Sequence, residues 1–192
     1  MTRQLHLNLF LMTRGHHEGA WRHPGANRKA MTDLELYVDA ARIAEAAKFD
    51  AVFLADGLVG PDSGQMASSG LLEPLLLLAA LAQHTQRIGL IGTASTTYSL
   101  PYTLARQFAT LDHLSKGRAG WNIVTSWLPK AGENYGLSEN VEHAERYRIA
   151  EEFVTAVDAL WRSFPQGALV DDAESGQFLD IGQVCPANYV GT

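Results

Sequence analysis

The stretch RIGLIGTASTTYSLPYTLARQFATLDHLSKGRAGWNIVT, residues 87–125, decides the fold. Its first ten residues, closed by hydroxyl side chains, read as a strand. Ser99 and Pro101 then introduce a segment with Leu104, Phe108, Leu111 and Leu114 at helical spacing, and Gly117 stops it. Residues 119–125 read as a second strand. A strand, a helix and a strand in so short a span make a βαβ unit, whose strands are parallel and whose crossover is right-handed.

The same alternation extends toward the N-terminus. Leu5, Leu7, Leu9 and Leu11 recur with period two, so Leu5 to Met12 reads as a first strand. Thr32 and Glu35 fit a capping box, and Leu34, Val38, Ala41 and Ala44 form an apolar stripe running to about Lys48. Residues 51–55 are a fully apolar strand ended by Asp56-Gly57. After a loop over 58–72, Glu73-Pro74 opens a leucine-rich helix, with proline placed in its first turn, that runs to about Thr85.

Toward the C-terminus a polar loop follows residue 125. A long helix then starts with Asn140 as its cap and carries Phe153, Val154, Val157, Leu160, Trp161 and Phe164. Regular patterning ends at Pro165. Residues 1–164 therefore hold four βα units, and 165–192 begin an irregular segment. Two architectures fit such an alternation: an open doubly wound sheet, or the first half of an eight-fold barrel of roughly 250 residues or more. No G-x-G-x-x-G turn follows the first strand, as a dinucleotide-binding sheet would usually show. The residues alone leave both architectures open.

Bulk composition narrows the function classes. The 192 residues are 46% hydrophobic, enough for one domain with a real core. Fifteen basic against 21 acidic residues give a net charge of −6, without a basic run suited to a phosphate backbone, so nucleic acid is not an expected partner. Cys185 is the only cysteine, which rules out an intrachain disulfide and fits a reducing, cytoplasmic home. The most apolar run, Leu75 to Ala82, is far short of the ~20 residues that span a bilayer, so no membrane is expected. The N-terminus alternates polar with apolar residues and lacks the continuous apolar core of a signal peptide.

In either architecture ligands bind at the carboxyl ends of the strands. Asp56 closes the second strand there; Thr93, Ser95 and Thr96 close the third; Asn122 and Thr125 close the fourth. His143 and Tyr147, four residues apart, share one face in the first turns of the last helix. Each has a plain structural alternative. Asp56 can cap its own turn, the hydroxyls can bond nearby backbone, Asn122 can pair with a neighbouring strand, and His143 can be a core histidine. The loop HHEGAWRH, residues 16–23, offers His17, Trp21 and Arg22 as substrate-side groups. Its histidines lack the H-E-x-x-H spacing that sets ligands on one rigid face, so no metal is expected. No G-x-S-x-G elbow is present to support nucleophilic hydrolysis.

Five segments in order, GHHEGAWRHP (15–24), FLADG (53–57), IGLIGTASTTYSLPY (88–102), LDHLSKGRAGWNIVTS (111–126) and HAERYRIAEEF (143–153), resemble one group of bacterial-luciferase-like flavin-dependent monooxygenases. The group contains the nitrilotriacetate, dibenzothiophene-sulfone and pristinamycin enzymes. Likeness continues through DAESGQF (172–178) and PANYVG (186–191), which look like the family's insertion after the fourth helix. The resemblance implies a TIM-type (β/α)8 barrel of which only the first four βα units are present. It implies reduced FMN supplied by a separate NAD(P)H-dependent flavin reductase, dioxygen and a small organic or xenobiotic substrate, and a homo-oligomer. By the same resemblance Asp56, Thr93, Ser95, Asn122, His143 and Tyr147 are flavin-site residues, with His143 and Tyr147 the catalytic candidates. Family members run beyond twice this length, so strands five to eight and a serine-containing phosphate segment are expected to be missing. An inactive half barrel that only associates, and a flavin- or deazaflavin-dependent reductase on the same fold, are the competing expectations.

Overall fold

The computed structural model describes residues 4–12, 14–17, 19–60 and 72–191. Four strands, β1 (Asn8–Phe10), β2 (Ala51–Leu54), β3 (Gly89–Ser95) and β4 (Ala119–Val124), form one parallel sheet in the order β1-β2-β3-β4. Helices α1 (Leu34–Ala46), α2 (Pro74–Ala82) and α3 (Pro101–Ser115) connect them. A short helix α4 (Pro129–Glu133) and the long α5 (His143–Arg162) follow β4. The strand order settles the architecture. A doubly wound sheet reverses direction within its first few strands, whereas four strands laid down strictly in sequence make a partial α/β barrel.

Period-two alternation sorts the strand side chains. Leu9, Val52, Leu54, Leu90 and Trp121 face the helices and meet Val38, Leu78, Leu81, Phe108, Leu111, Phe153 and Val157 in one core. The opposite face carries Phe10 against Phe53, ring centroids 4.8 Å apart, and the facing pair Thr93 and Asn122. Gly92 lets α2 approach β3 closely: a Cβ there would lie 2.9 Å from methyl carbons of Leu75 and Leu78. At the end of α3, Lys116 and Gly117 turn left-handed (φ 59° and 82°), and the Gly117 N–H bonds the Asp112 carbonyl, so the expected stop is made by two residues.

The amino ends of the strands are held by charged side chains reaching across the chain. Glu45 Oε1 accepts the N–H groups of Gln86, Arg87 and Ile88 at 2.9, 2.6 and 3.0 Å. Arg118 donates to the carbonyls of Ser115, Ile88, Ala82 and Thr85 and to the Thr85 hydroxyl. Arg118 thereby satisfies carbonyls at the end of α2 that its own helix leaves open.

Several local expectations shift. The cap of α1 is Asp33, whose carboxylate accepts the Glu35 N–H at 3.0 Å, so Thr32 is one residue early. Helix α5 is capped by Glu142 rather than Asn140. Ladder pairing confines β1 to residues 8–10, although the Leu11 N–H still bonds the Phe53 carbonyl. Beyond Phe164 a 3-10 turn (Gln166–Ala168) leads into an antiparallel pair, β5 (Leu169–Asp172) and β6 (Gln177–Leu179). No helix among the described residues is long and apolar enough to cross a membrane.

Candidate functional site

An open cleft of about 1030 Å³ lies where β4 ends and α5 begins. Its lower part follows the outer edge of β4 through Ile123 and the α5 face of Val154. Its upper part, at the carboxyl ends of the strands, is bounded by Asp56, Ser126, Trp127 and Tyr147.

Polar side chains stitch the strand ends together beside this cleft. Thr93 Oγ1 donates to the Leu54 carbonyl at 2.8 Å and accepts from Asn122 Nδ2 at 2.9 Å, a row crossing β2, β3 and β4. Ser95 Oγ accepts from Ser126 Oγ at 2.8 Å and from the Thr97 N–H at 3.2 Å. Thr97 Oγ1 donates to the Thr125 carbonyl at 2.7 Å. These bonds hold Ser126 in a left-handed conformation, φ 49°, a region that a serine enters only when its surroundings impose it. Across the cleft, Asp56 accepts the Leu58 N–H at 3.1 Å, and Leu58 is likewise left-handed at φ 55°.

Helix α5 supplies the other wall. Tyr147 lines the cleft and is exposed; His143 is exposed beside it, the two rings 4.9 Å apart, but does not itself line the cleft. Arg148 is tied along the helix to Glu145 and Glu152, both at 2.7 Å. Hydrogen bonding to Glu145 raises the guanidinium pKa further, and the same bond lowers that of Glu145. Arg146 is buried beneath the first turns, where it donates to the Val141 carbonyl, and its Nε has no acceptor among the described residues.

The long segment between β4 and α5 is braced by aromatic and amide groups. Tyr98 and Tyr135 stack with centroids 4.8 Å apart and planes 12° from parallel. Burial, and after it the negative charge of Asp56, pushes the Tyr135 hydroxyl pKa up. Asn140, expected as a helix cap, instead bridges the Tyr98 hydroxyl (3.2 Å) and the Trp127 carbonyl (3.3 Å).

Of the residues singled out from sequence, Asp56, Thr125 and Tyr147 line this cleft, and the His143 ring lies beside Tyr147. Thr93, Ser95 and Asn122 sit beside it, bonded to strand neighbours. The loop with His17, Trp21 and Arg22 leaves β1 at the same end of the sheet but does not line the cleft. His17 Nδ1 accepts the Gly19 N–H, Arg28 grips the Trp21 and His23 carbonyls, and His16 rests edge-on against Phe10 at 4.4 Å. Among the described residues no group of three His, Cys, Asp or Glu side chains is placed to hold a metal ion. Sequence reasoning passed over Ser126, Trp127 and the Tyr98–Tyr135 stack, and read Asn140 only as a helix cap. The left-handed turn and the cross-chain amide bridge leave no periodic signal.

Residues 9–179 match the family described as luciferase-like monooxygenase. N-acetyl-S-(2-succino)cysteine monooxygenase of Bacillus subtilis (strain 168) is 44% identical over 189 residues, 98% of this chain and 43% of that protein. Nitrilotriacetate monooxygenase component A of Aminobacter aminovorans is 41% identical over 201 residues, 98% of this chain and 44% of its own length. Among solved structures, a riboflavin lyase with modified FMN and its substrate riboflavin superposes with a TM-score of 0.88 at 35% identity, covering 98% of this chain and 45% of that one. The chain thus spans less than half the length of these relatives.

Proposed function

Because this chain belongs to the luciferase-like monooxygenase family, we propose that it is the part of a two-component monooxygenase that receives reduced FMN from a separate NAD(P)H-dependent flavin reductase. Its co-substrates are dioxygen and a small organic molecule, and its setting is the cytoplasm. Residues 1–164 form the barrel half, and 165–192 begin the insertion. The observation that carries the reading is the placement of Asp56 and Tyr147 about one cleft at the carboxyl ends of a sequentially ordered parallel sheet.

The groups around the cleft fit a flavin ring, whose polar edge needs both donors and acceptors. Tyr147 offers a phenol, His143 a ring nitrogen, and the Asn122 side-chain oxygen is free of bonds among the described residues. Asp56 and the hydroxyls of Thr93 and Ser95 set the strand ends against which such a ring would rest. Bound reduced FMN would supply the oxygen-activating chemistry. The protein's work is to orient the ring and the substrate and to keep water away from both. His143 and Tyr147 would hold or move a proton at the ring edge.

The test is anaerobic titration with reduced FMN, followed by oxygen-transfer assays with a flavin reductase present. In a version that spans the relatives' full length, His143→Ala or Tyr147→Phe should lower kcat by about 10²-fold or more, the usual scale for a proton-transfer group, with little change in Tm. Equal losses of activity and melting temperature would make His143 a packing residue. Tight binding of a deazaflavin without oxygen transfer would favour a reductase instead.

A further inference from the structure

Trp127 stands at the wall of this cleft. Its side chain is 73% exposed, yet its backbone is pinned on both sides. Ser126 before it is locked left-handed and bonded to Ser95, and its own carbonyl is held by Asn140, which is fixed in turn by the Tyr98 hydroxyl. Across the same cleft Tyr147 is 59% exposed. Large aromatic side chains gain by burial, and holding one rigidly at a cleft wall prepays the ordering that a ligand would otherwise cost. We propose that Trp127 and Tyr147 form an aromatic clasp for a planar ring, and that Asn140 is the positioning residue for Trp127. The proposal rests on the assignment of this cleft as the ligand site, but not on oxygenase chemistry. The ring is either the flavin's or an aromatic substrate's.

The experiment titrates the chain with two probes, lumiflavin, which is the flavin ring without its phosphate, and naphthalene-2-sulfonate. Trp127→Ala should weaken the ring probe about tenfold, in line with aromatic stacking, while Trp127→Phe stays within about threefold of wild type. Asn140→Asp keeps the acceptor for Tyr98 and loses the donor to the Trp127 carbonyl. It should match Asn140→Ala in weakening the probe and should shift the Trp127 indole N–H resonance, with the circular dichroism spectrum unchanged. Dependence of lumiflavin on Trp127 assigns the clasp to the cofactor, and dependence of the naphthalene probe alone assigns it to substrate. Binding of both probes indifferent to Trp127→Ala, or no binding of either to wild type, overturns the proposal. If the probes depend on Trp127 but a version spanning the relatives' full length transfers no oxygen with reduced FMN, the clasp stands and the oxygenase reading falls.

Discussion

Glu45 sets one carboxylate oxygen against three consecutive backbone N–H groups at the start of β3. Burial alone would raise its pKa, but the bonds from Arg87, Ile88 and Gln86 outweigh that and bring it below the ordinary 4.5. A carboxyl whose folded value is depressed contributes stability that is complete above its unfolded pKa and disappears as the pH falls through the folded one. Thermal melts between about pH 6 and pH 3 should therefore show a steep loss in wild type and a shallower one in Glu45→Gln, the two converging at the acid end. Parallel curves would mean that Glu45 is not part of the acid response. Residues differ in how far sequence exposes them. Asp56 and Tyr147 were legible because a strand end and a four-residue helical step are local patterns. Glu45 was not, because its partners lie some forty positions away, and Trp127 was not, because exposure of an indole on a pinned loop exists only after folding.

Among the elements, α5 starts where Glu142 accepts the N–H groups of Ala144 and Glu145 at 2.7 and 3.2 Å. Removing this cap by Glu142→Ala should cost about 1 kcal/mol and lower Tm by a few degrees, while Glu142→Ser, which keeps an acceptor at the cap position, should recover most of it. No change in Tm would mean that water replaces the carboxylate at no cost. The same comparison marks where pattern reading succeeds. The α2 start was visible because Glu73 caps and Pro74 occupies the first turn, both nearest-neighbour signals. Helix α4, at five residues, is too short to show a helical period. Strand β5 is exposed at every position, so no alternation of burial betrays it. Its turn is set by Asp172, which accepts the Glu174 and Ser175 N–H groups and the Ser175 hydroxyl. The choice between open sheet and barrel was beyond pattern altogether, since it depends on which strand lies beside which.

At the scale of the molecule, β4 pairs with β3 alone among the described residues, and its other edge borders the cleft. Residues Ala119–Val124 contain no charge and no proline, the devices by which exposed edges resist pairing, and Ile123 is 47% exposed there. The 192-residue chain in isolation should therefore associate as its concentration rises, and light scattering should report masses above that of a monomer. Ile123→Lys should move the distribution toward monomer; a wild type that stays monomeric throughout would show the edge to be protected in some other way. The sequential order of the sheet carries a different implication, for synthesis. Because every strand pairs with the one made just before it, each βα unit leaving the ribosome finds its neighbour already present. Strands β2 to β4 need not wait for a distant partner, so the sheet can be assembled in the order of translation, each new strand covering the edge left by the one before it while the outer edge of β1 stays open.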